Sequence, residues 1–536
     1  MKTARVPAAL AIVLLTGFCL RVWWSGGLTS HPPLSDPDGY TEMARALVDS
    51  NGQWRWDFRA VEYAEFTKAP LYQIVLSILV RVSSVLPFPR SGLLLHATLH
   101  TLAIAMMFVV GSALGSRRTG MVAATVYALW LPNILVTGTF WQEHLYIPLI
   151  VAAFAATARA TERGGGRDWL LAGAMFGLAA LTRSTIAYFI PAAVLILLFW
   201  RGSRRSRVTA AAALLGGFVI VTAPYIAYIS SQTGRFTVIE SIGYFSLKRA
   251  NSVSLLPRHV EGIPMMADPS APPTSSEALQ FVYAELAADP LAFAARRFDY
   301  MRLLLKPSGG SLLAHLFVPT HAAAVAVKTA VHLLIDLPWA AALIGAPIGL
   351  LVARGRLLAA LLAAWALIHW GSVAGMLWAG ARFRSPAEPA AILLAAAFFA
   401  HCDGWKASRR GVIVALAASS AAVGLIALSV PSVLVMRPSY GIERALNKGH
   451  PLIFTSAMGT YVNCLDPVLR ISLEAAGLSP SGNPAEVTIL LDGKLADRFV
   501  LASERTARRY QLTSARRLYL EVRVAGAPFP LELRLD

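Results

Sequence analysis

Two short segments in the first predicted loop decide how the rest of the chain is interpreted. They read Ser35-Asp36-Pro37-Asp38-Gly39-Tyr40 and Phe66-Thr67-Lys68-Ala69-Pro70-Leu71-Tyr72. The loop between the first apolar runs therefore carries two acids, a lysine and two tyrosines where hydrophobic segments begin. A charge at the edge of a membrane is costly unless it is hydrated or used. We therefore expect the chemistry in this loop.

The composition predicts a membrane protein. Of the 536 residues, 56% are hydrophobic and only 15% are charged, whereas an ordinary soluble domain has about 25% charged residues. Many windows of about 20 residues are almost free of charge, which is the length that a helix needs to cross a hydrocarbon core of about 30 Å. We predict an all-α polytopic membrane domain over residues 1–436 with about 11 transmembrane helices.

The basic residues indicate which loops face inward. Short loops between alternate apolar runs hold 16 of the 48 Lys and Arg residues and only 3 acids. The long loops 21–90 and 232–306 hold 7 basic with 7 acidic residues and 8 basic with 7 acidic residues. Because Lys and Arg are enriched in cytoplasmic loops, we place the large loops 25–90 and 230–310 outside and the N-terminus in the cytoplasm. The membrane topology then accounts for the net charge of +18, and no nucleic-acid partner is expected.

Two further segments are assigned from their pattern. Residues 71–86 are apolar, but the segment is short and contains Gln73 and Arg81. Counting it as a crossing would place Arg117 outside. We therefore predict a re-entrant or surface-lying helix.

After residue 436 the composition changes. Segments 486–493 and 517–523 read as strands, the second with period-two alternation. Residues 437–536 are therefore predicted to form a small β-rich domain outside the membrane, with a sandwich as one arrangement.

Asp36 has two interpretations. Before Pro37 it fits an N-cap followed by proline at the first position of a helix that reaches Asp49. It also fits a catalytic carboxylate, and the second acid at Asp38 favours this reading because charge at the mouth of a span needs a use or hydration. Sequence alone leaves both open.

Four more charged residues fall in predicted outer turns, namely Glu143, Arg183, Arg382 and Arg384. Simple alternatives are a hydrated loop carboxylate for Glu143 and a snorkelling side chain for Arg183. Together, however, they suit transfer from a lipid phosphate. Arginine forks compensate the charge of a phosphate leaving group, and a carboxylate takes the proton of an acceptor hydroxyl.

His96 and His100 share a helix face because they are four residues apart. Such a pair could ligate a metal ion, but a structural site needs further ligands and no third ligand is evident. We favour a packed, hydrogen-bonded pair.

The motifs in order resemble those of membrane glycosyltransferases of the GT-C fold, specifically bacterial proteins similar to dolichyl-phosphate-mannose protein mannosyltransferases and the lipid A aminoarabinose transferase. Asp36 with Tyr40 resembles the acidic motif of the first loop, and residues 68–72 resemble the Pro-Pro-Leu-Tyr turn with Ala69 in place of its first proline. Residues 143–145 resemble the second-loop acid, 177–183 the Gly-Leu-Ala-x-Leu-Thr-Arg signature and 382–386 the Arg-Tyr-Arg-x-Pro signature. Ala227-Tyr228 departs from the Arg-Asn of many relatives. The likeness covers roughly residues 7 to 400.

The resemblance implies an inverting transfer of one hexose or pentose in the cell envelope. The donor would be a polyprenyl-phosphate sugar and the acceptor a glycan, lipid or protein, at the outer face of a bacterial inner membrane with the C-terminal domain in the periplasm. A transporter or flippase of lipid-linked sugars and a non-catalytic sugar-binding relative are the alternatives.

The resemblance also implies roles for single residues. Asp36 would be the general base or orient the acceptor, with Asp38 as the second candidate. Glu143 would hold the acceptor or a divalent cation. No cofactor is certain from these motifs, and a divalent cation is compatible with them. The donor and its phosphate would be bound by Tyr40, Lys68, Tyr72, Arg183, Arg382 and Arg384.

Overall fold

The computed structural model describes two parts of the chain. The helical part comprises residues 8–28, 39–48, 54–59, 67–82, 88–243, 247, 275–288, 290–305, 324–376 and 381–400. The C-terminal part comprises residues 452–454, 457–463, 468–475, 485–491, 494–501, 506–511, 517–525 and 531–535. Asp36, Asp38 and the predicted span 411–436 lie outside the described residues.

The helical part confirms the predicted α-helical membrane architecture. Its helices, numbered in chain order, are α1 Ala8–Leu28, α2 Tyr40–Ala46, α3 Pro70–Arg81, α4 Arg90–Leu114, α5 Arg117–Ala128, α6 Leu131–Leu135, α7 Glu143–Arg163, α8 Gly166–Thr182, α9 Phe189–Phe199, α10 Arg204–Thr233, α11 Ser275–Ala288, α12 Pro290–Leu305, α13 Ala324–Val352, α14 Arg356–Met376, α15 Ala381–Arg384 and α16 Glu388–Phe399. Short 3-10 turns cover Val136–Gly138, Ser184–Tyr188 and Ser385–Ala387.

Six described helices are long and apolar enough to cross a membrane. They include residues of α1, α4, α7, α10, α13 and α14. A seventh span results if Arg117–Ala128 and Leu131–Gly138, which are bent by 47°, are counted together. The chain is therefore a multi-pass membrane protein, and the number of about 11 spans stays a prediction.

The chain divides into two compact units. The first contains residues 1–252, 270–307 and 335–430, and the second contains residues 253–269, 308–334 and 431–536. The predicted domain boundary after residue 436 stays a prediction.

Arg21, although counted among the charges of the first loop, lies inside α1 and is buried. Its guanidinium can stay there because it donates to the carbonyl oxygens of Gly17 at 2.9 Å and Ala128 at 3.1 Å. The helix predicted to reach Asp49 ends at Ala46, and its N-cap residue is Gly39 with φ 66°. Glycine adopts this left-handed conformation without the cost of a Cβ.

Helix α3 begins with Pro70, and the preceding residue, Ala69, is extended. Proline suits this position because it lacks the N–H that a first turn leaves unpaired. The helix has 12 residues and rises about 18 Å, which is shorter than a hydrocarbon core. Its length is compatible with the re-entrant or surface-lying helix that was predicted.

Small residues bring α8 and α10 close together. A Cβ on Gly173 of α8 would collide with the carbonyl oxygen of Leu214, and a Cβ on Gly217 of α10 would collide with that of Leu170. Such small-residue contacts let the backbones of membrane helices approach closely. This contact fixes the path of α8, which ends one residue before Arg183.

The second unit contains eight described β-strands, two of which lie where the sequence predicted strands, at 486–493 and 517–523. They are β1 Leu452–Phe454, β2 Ala457–Asn463, β3 Val468–Ala475, β4 Ala485–Leu491, β5 Lys494–Leu501, β6 Thr506–Gln511, β7 Arg517–Ala525 and β8 Leu531–Leu535. They form two antiparallel sheets with the orders β1-β8-β3-β6 and β2-β7-β4-β5. This is the strand order of a jelly roll built from two Greek keys.

Val522 in β7, where the sequence predicted period-two alternation, is fully buried. Between β5 and β6, Asp497 accepts from Tyr510 Oη at 3.2 Å and lies 3.2 Å from Arg508 Nε. Burial, followed by this carboxylate, raises the pKa of Tyr510 above its ordinary value.

Candidate active site

Glu143 is the centre of a buried ion-pair cluster. Arg183 Nη1 donates to Glu143 Oε1 at 2.7 Å. Arg382 donates to both carboxylate oxygens, from Nε to Oε1 at 2.9 Å and from Nη2 to Oε2 at 3.0 Å. The Glu143 side chain is only 3% exposed, against 5% for Arg183 and 18% for Arg382. Glu143, Arg183 and Arg382 were predicted from separate motifs, and they therefore meet in one ion-pair cluster.

The ends of helices bring these residues together. Glu143 is the first residue of α7, where a carboxylate interacts favourably with the helix dipole. Arg183 directly follows α8, and Arg382 lies in the short helix α15. Helices α7 and α8 are joined by the tight turn Gly164–Gly165 at their other ends. An antiparallel helix pair of this kind places the start of α7 beside the end of α8.

Aromatic rings line the cluster. The Arg382 guanidinium carbon lies 4.4 Å from the ring centroid of Trp141, and that of Arg183 lies 4.8 Å from the Phe383 ring. Cations at such distances are attracted by the negative face of the ring. His369 Nε2 is hydrogen-bonded to the Phe383 carbonyl oxygen at 2.8 Å, which fixes the ring that Arg183 faces.

The first-loop residues join the same region through Gln142. Tyr40 Oη donates to Gln142 Oε1 at 2.6 Å, and Gln142 directly precedes Glu143. The Lys68 ammonium lies 5.0 Å from the centroid of the Tyr40 ring. Tyr72 packs edge-on against Tyr40 with a centroid distance of 5.1 Å. Lys68, Tyr40 and Tyr72 are all buried, so this part of the first loop is built into the protein next to the ion-pair cluster.

Arg384 makes a different ion pair from Arg382. Its Nε donates to Glu388 Oε1 at 2.7 Å, and its guanidinium lies 4.3 Å from the Trp339 ring. Trp130 Nε1 donates to the other oxygen of Glu388 at 2.7 Å. Residues two apart on a helix point about 200° away from each other, so Arg382 and Arg384 cannot share one carboxylate. The structure therefore separates two arginines that the sequence grouped together.

The paired histidines have the hydrogen-bond partners expected of a packed pair. His96 is bonded to Tyr72 Oη at 3.0 Å, and His100 is bonded to Tyr127 Oη at 3.0 Å. A third histidine, His144, was not anticipated. It stacks on His96 with a centroid distance of 4.2 Å and is bonded to His100 at 3.2 Å. Among the residues that the structure describes, no group of three His, Cys, Asp or Glu side chains is arranged to hold a metal ion.

Three polar partners were missed in the sequence. Gln142 could have been found from the sequence, because it directly precedes Glu143. Glu388 could also have been found, because it lies four residues after Arg384 in a helical region. No sequence feature pointed to Glu240, which lies in the second long loop. It accepts hydrogen bonds from the backbone N–H of Ala69 at 3.2 Å and from Ser184.

The basic turns lie at the opposite ends of the helices from the site. Glu143 and Arg163 are the first and last residues of the 21-residue helix α7, a separation of roughly 30 Å. The turns after α4 and before α14 meet each other, because Arg354 N donates to Leu114 O at 2.8 Å. The ends of α4 and α13 thus bring together two loops that the sequence assigned to one face.

The cluster gathers charged side chains of both signs. Lys68, Arg183 and Arg382 are cations, and Glu143 and Glu240 are carboxylates, among the described groups. Guanidinium and ammonium groups form charge-assisted hydrogen bonds with phosphate, and an arginine fork supplies two of them. The arrangement can therefore hold an anionic phosphate group.

Comparison with protein families confirms the resemblance suggested by the motifs. Residues 67–228 match the family described as dolichyl-phosphate-mannose-protein mannosyltransferase. This segment includes Lys68, Tyr72, Glu143 and Arg183, and it ends before Arg382. The chain thus resembles GT-C fold membrane glycosyltransferases, and this likeness supports glycosyl transfer in general. Comparison with curated proteins gives no match.

Solved structures of glycosyltransferases also match. The apo oligosaccharyltransferase of Archaeoglobus fulgidus matches with 17% identity and a TM-score of 0.45, over 82% of this chain and 56% of that chain. AglB of the same organism, in complex with an inhibitory peptide and a dolichol-phosphate, matches with 16% identity and a TM-score of 0.42, over 80% and 55%. The arabinosyltransferase EmbB of Mycobacterium smegmatis matches with 13% identity and a TM-score of 0.28, over 99% and 64%. The chain thus spans less than two thirds of these proteins.

Proposed function

We propose that this protein transfers one sugar from a polyprenyl-phosphate donor to a glycan, lipid or protein acceptor on the outer face of the membrane. The observation that carries the proposal is the meeting of Arg183 and Arg382 on Glu143, with Lys68 and Tyr40 joined to them through Gln142. These residues come from five separate segments of the chain. A buried site that contains two arginines and a lysine, at the ends of apolar helices, fits a lipid whose only charged group is its phosphate.

Each group has a role in the proposed reaction. The bond between the anomeric carbon and the phosphate oxygen breaks, and the phosphate leaves with both bonding electrons as polyprenyl phosphate. Arg382, Arg183 and Lys68 would stabilise that charge. Glu143 would hold the two guanidinium groups in place. The acceptor oxygen forms the new bond to the anomeric carbon from the opposite face, and its proton would pass to Asp36, with Asp38 as the second candidate.

Tyr40 and Tyr72 would line the entrance for the donor. They are aromatic, buried and in contact with each other beside Lys68. Arg384 would act indirectly, because its guanidinium is paired with Glu388. A divalent cation at Glu143 would have to displace two arginines, so the described residues favour the arginines as the phosphate ligands.

The sidedness of the site belongs to the same proposal. The basic turn after α7 lies at the far end of that helix from Glu143, and basic turns favour the cytoplasmic face. The site then faces outward, with the N-terminus in the cytoplasm. In a bacterial inner membrane, the reaction and the β-rich domain would then both lie in the periplasm under this proposal.

The proposal is tested by a transfer assay with the purified protein in lipid nanodiscs. The substrates are a panel of polyprenyl-phosphate sugars with a labelled sugar, and an envelope extract supplies acceptors. The wild type should transfer the label, and Asp36→Asn should abolish transfer while its thermal midpoint stays unchanged. Asp57→Asn, at an exposed ion pair of the same loop, is the matched control and should stay active.

Two results would count against the proposal. If the folded wild type binds the lipid-linked sugars but transfers none, the protein is a binding relative. If it moves them across the bilayer of a liposome without forming a product, it is a flippase. Asp36→Asn that turns over at the wild-type rate would remove Asp36 from the catalytic residues.

A further inference from the structure

Glu240 connects the two segments that carry predicted phosphate ligands. Its Oε2 accepts from the backbone N–H of Ala69 at 3.2 Å, and Ala69 directly follows Lys68. Its Oε1 accepts from the backbone N–H of Ser184 at 3.2 Å and from Ser184 Oγ at 2.5 Å, and Ser184 directly follows Arg183. One carboxylate therefore holds the residues next to two cations that are far apart in the chain.

These contacts close a ring around the site. Starting from Lys68, the ring passes through the Tyr40 ring and Gln142 to Glu143 and Arg183. It then returns through Ser184 and Glu240 to Ala69, which is bonded covalently to Lys68. Without Glu240, the described contacts of this ring would no longer connect the start of α3 with the end of α8.

The residue after Glu240 strengthens the same junction. Ser241 N donates to Thr67 O at 3.1 Å, and Thr67 N donates to Ser241 Oγ at 2.9 Å. Thr67 is the residue before Lys68, so both neighbours of the lysine are held by the start of the second long loop. Thr67 and Ser241 are buried, which makes an unpaired polar group there costly.

The backbone before Glu240 is strained. Ile239 is fully buried and has φ 76°, the one positive φ among the described non-glycine residues. A β-branched side chain avoids this region. Such a conformation persists only where the surrounding contacts impose it, and it is found preferentially at functional sites. Here it directs Glu240 toward Ala69 and Ser184.

We propose that Glu240 is a positioning residue for the phosphate site, which sets the separation of Lys68 and Arg183 and couples both to the second long loop. This inference rests on the proposed function and adds a positioning residue to it. Glu240 itself would not contact the donor, because its oxygens are occupied by Ala69 and Ser184.

The test compares Glu240→Gln with Glu162→Gln, the same chemical change at an exposed residue on α7. The glutamine keeps one acceptor oxygen but turns an NH₂ group toward the Ala69 N–H. Binding of labelled polyprenyl phosphate to the protein in nanodiscs should weaken roughly tenfold or more, and kcat/KM for transfer should fall by up to about 100-fold, the size expected of a displaced catalytic group. Glu162→Gln should match the wild type.

A double-variant cycle separates positioning from simple stability. In a Lys68→Met background, Glu240→Gln should cost less binding than in the wild type, because one of the two cations it positions is already absent. Equal losses in both backgrounds would overturn the inference, since independent effects add. Ser184→Ala removes only the hydroxyl donor, so it carries the test if Glu240→Gln does not fold, and about threefold weaker binding is expected.

The outcomes distinguish the two proposals. If the wild type neither binds polyprenyl phosphate nor transfers sugar, the proposed function fails. If the wild type does both and Glu240→Gln and Ser184→Ala behave like Glu162→Gln, only the positioning role of Glu240 fails.

Discussion

Glu143 and Arg382 are joined by two parallel hydrogen bonds although 239 residues separate them in the chain. The bonds run from Nε to Oε1 at 2.9 Å and from Nη2 to Oε2 at 3.0 Å. The pair is largely buried and lies against the Trp141 ring. A fork that is held this way has a fixed direction, which is what recognition of a phosphate requires.

Replacing Arg382 by lysine should impair transfer. Arg382→Lys keeps the charge but loses the planar fork, so only one oxygen of Glu143 can be bound at a time. We expect kcat/KM to fall roughly 100-fold, because a misplaced cation no longer meets the leaving phosphate. The measurement is the transfer assay described above.

Arg59→Lys is the matched control for that change. Arg59 also forms a two-pronged pair, with Asp57 at 2.8 to 3.2 Å, but both side chains are about half exposed or more. The Arg59 hydrogen bond lowers the pKa of Asp57 from its ordinary value. Exposed pairs contribute little, so Arg59→Lys should leave activity within about twofold. Equal losses in the two variants would show that fork geometry at Glu143 is not special.

Arg384 should matter for stability more than for the chemistry. Arg384→Met leaves Glu388 buried and short of a cationic partner, and removal of one member of a buried pair costs about 3–5 kcal/mol. We expect a clear drop in the thermal midpoint of the protein in detergent. The double variant Arg384→Met with Glu388→Leu should recover much of that loss, since both charges are then gone. No recovery in the double variant would mean that the pair is not a local structural unit.

The orientation of the helices predicts which residues a membrane-impermeant thiol reagent can reach. In a variant with all three cysteines replaced by serine, Asp57→Cys should react in intact spheroplasts. Arg163→Cys, at the exposed far end of α7, should react only after the membrane is permeabilised. The reverse pattern would place the site on the cytoplasmic face and refute a reaction outside.

The sequence predicted where the charged side chains would gather but not which of them would pair. Hydropathy sets the ends of the helices, and Glu143 and Arg183 lie at such ends, so their common location followed from the pattern. The split between Arg382 and Arg384 depends on the short helix α15, which the apolar pattern does not reveal. The burial of Arg21 depends on carbonyl groups of α1 and α5, a tertiary contact that has no local signal.

Long-range partners were the hardest part of the site to foresee. His144 contacts His96 and His100, although it lies 44 residues after His100 in the chain. Glu240 binds Ala69, which is 171 residues away in the chain. Contacts of this kind depend on how helices pack, while a spacing rule describes only neighbours on one element. In the β-rich unit, local patterns located β4 and β7, whereas the other six described strands and the strand order required the structure.

A structure of the protein with bound polyprenyl phosphate tests the central claim most directly. The account predicts phosphate oxygens about 3 Å from guanidinium nitrogens of Arg382 or Arg183, within hydrogen-bond distance, with Lys68 on the same phosphate. A lipid phosphate bound away from all three of these side chains would contradict it.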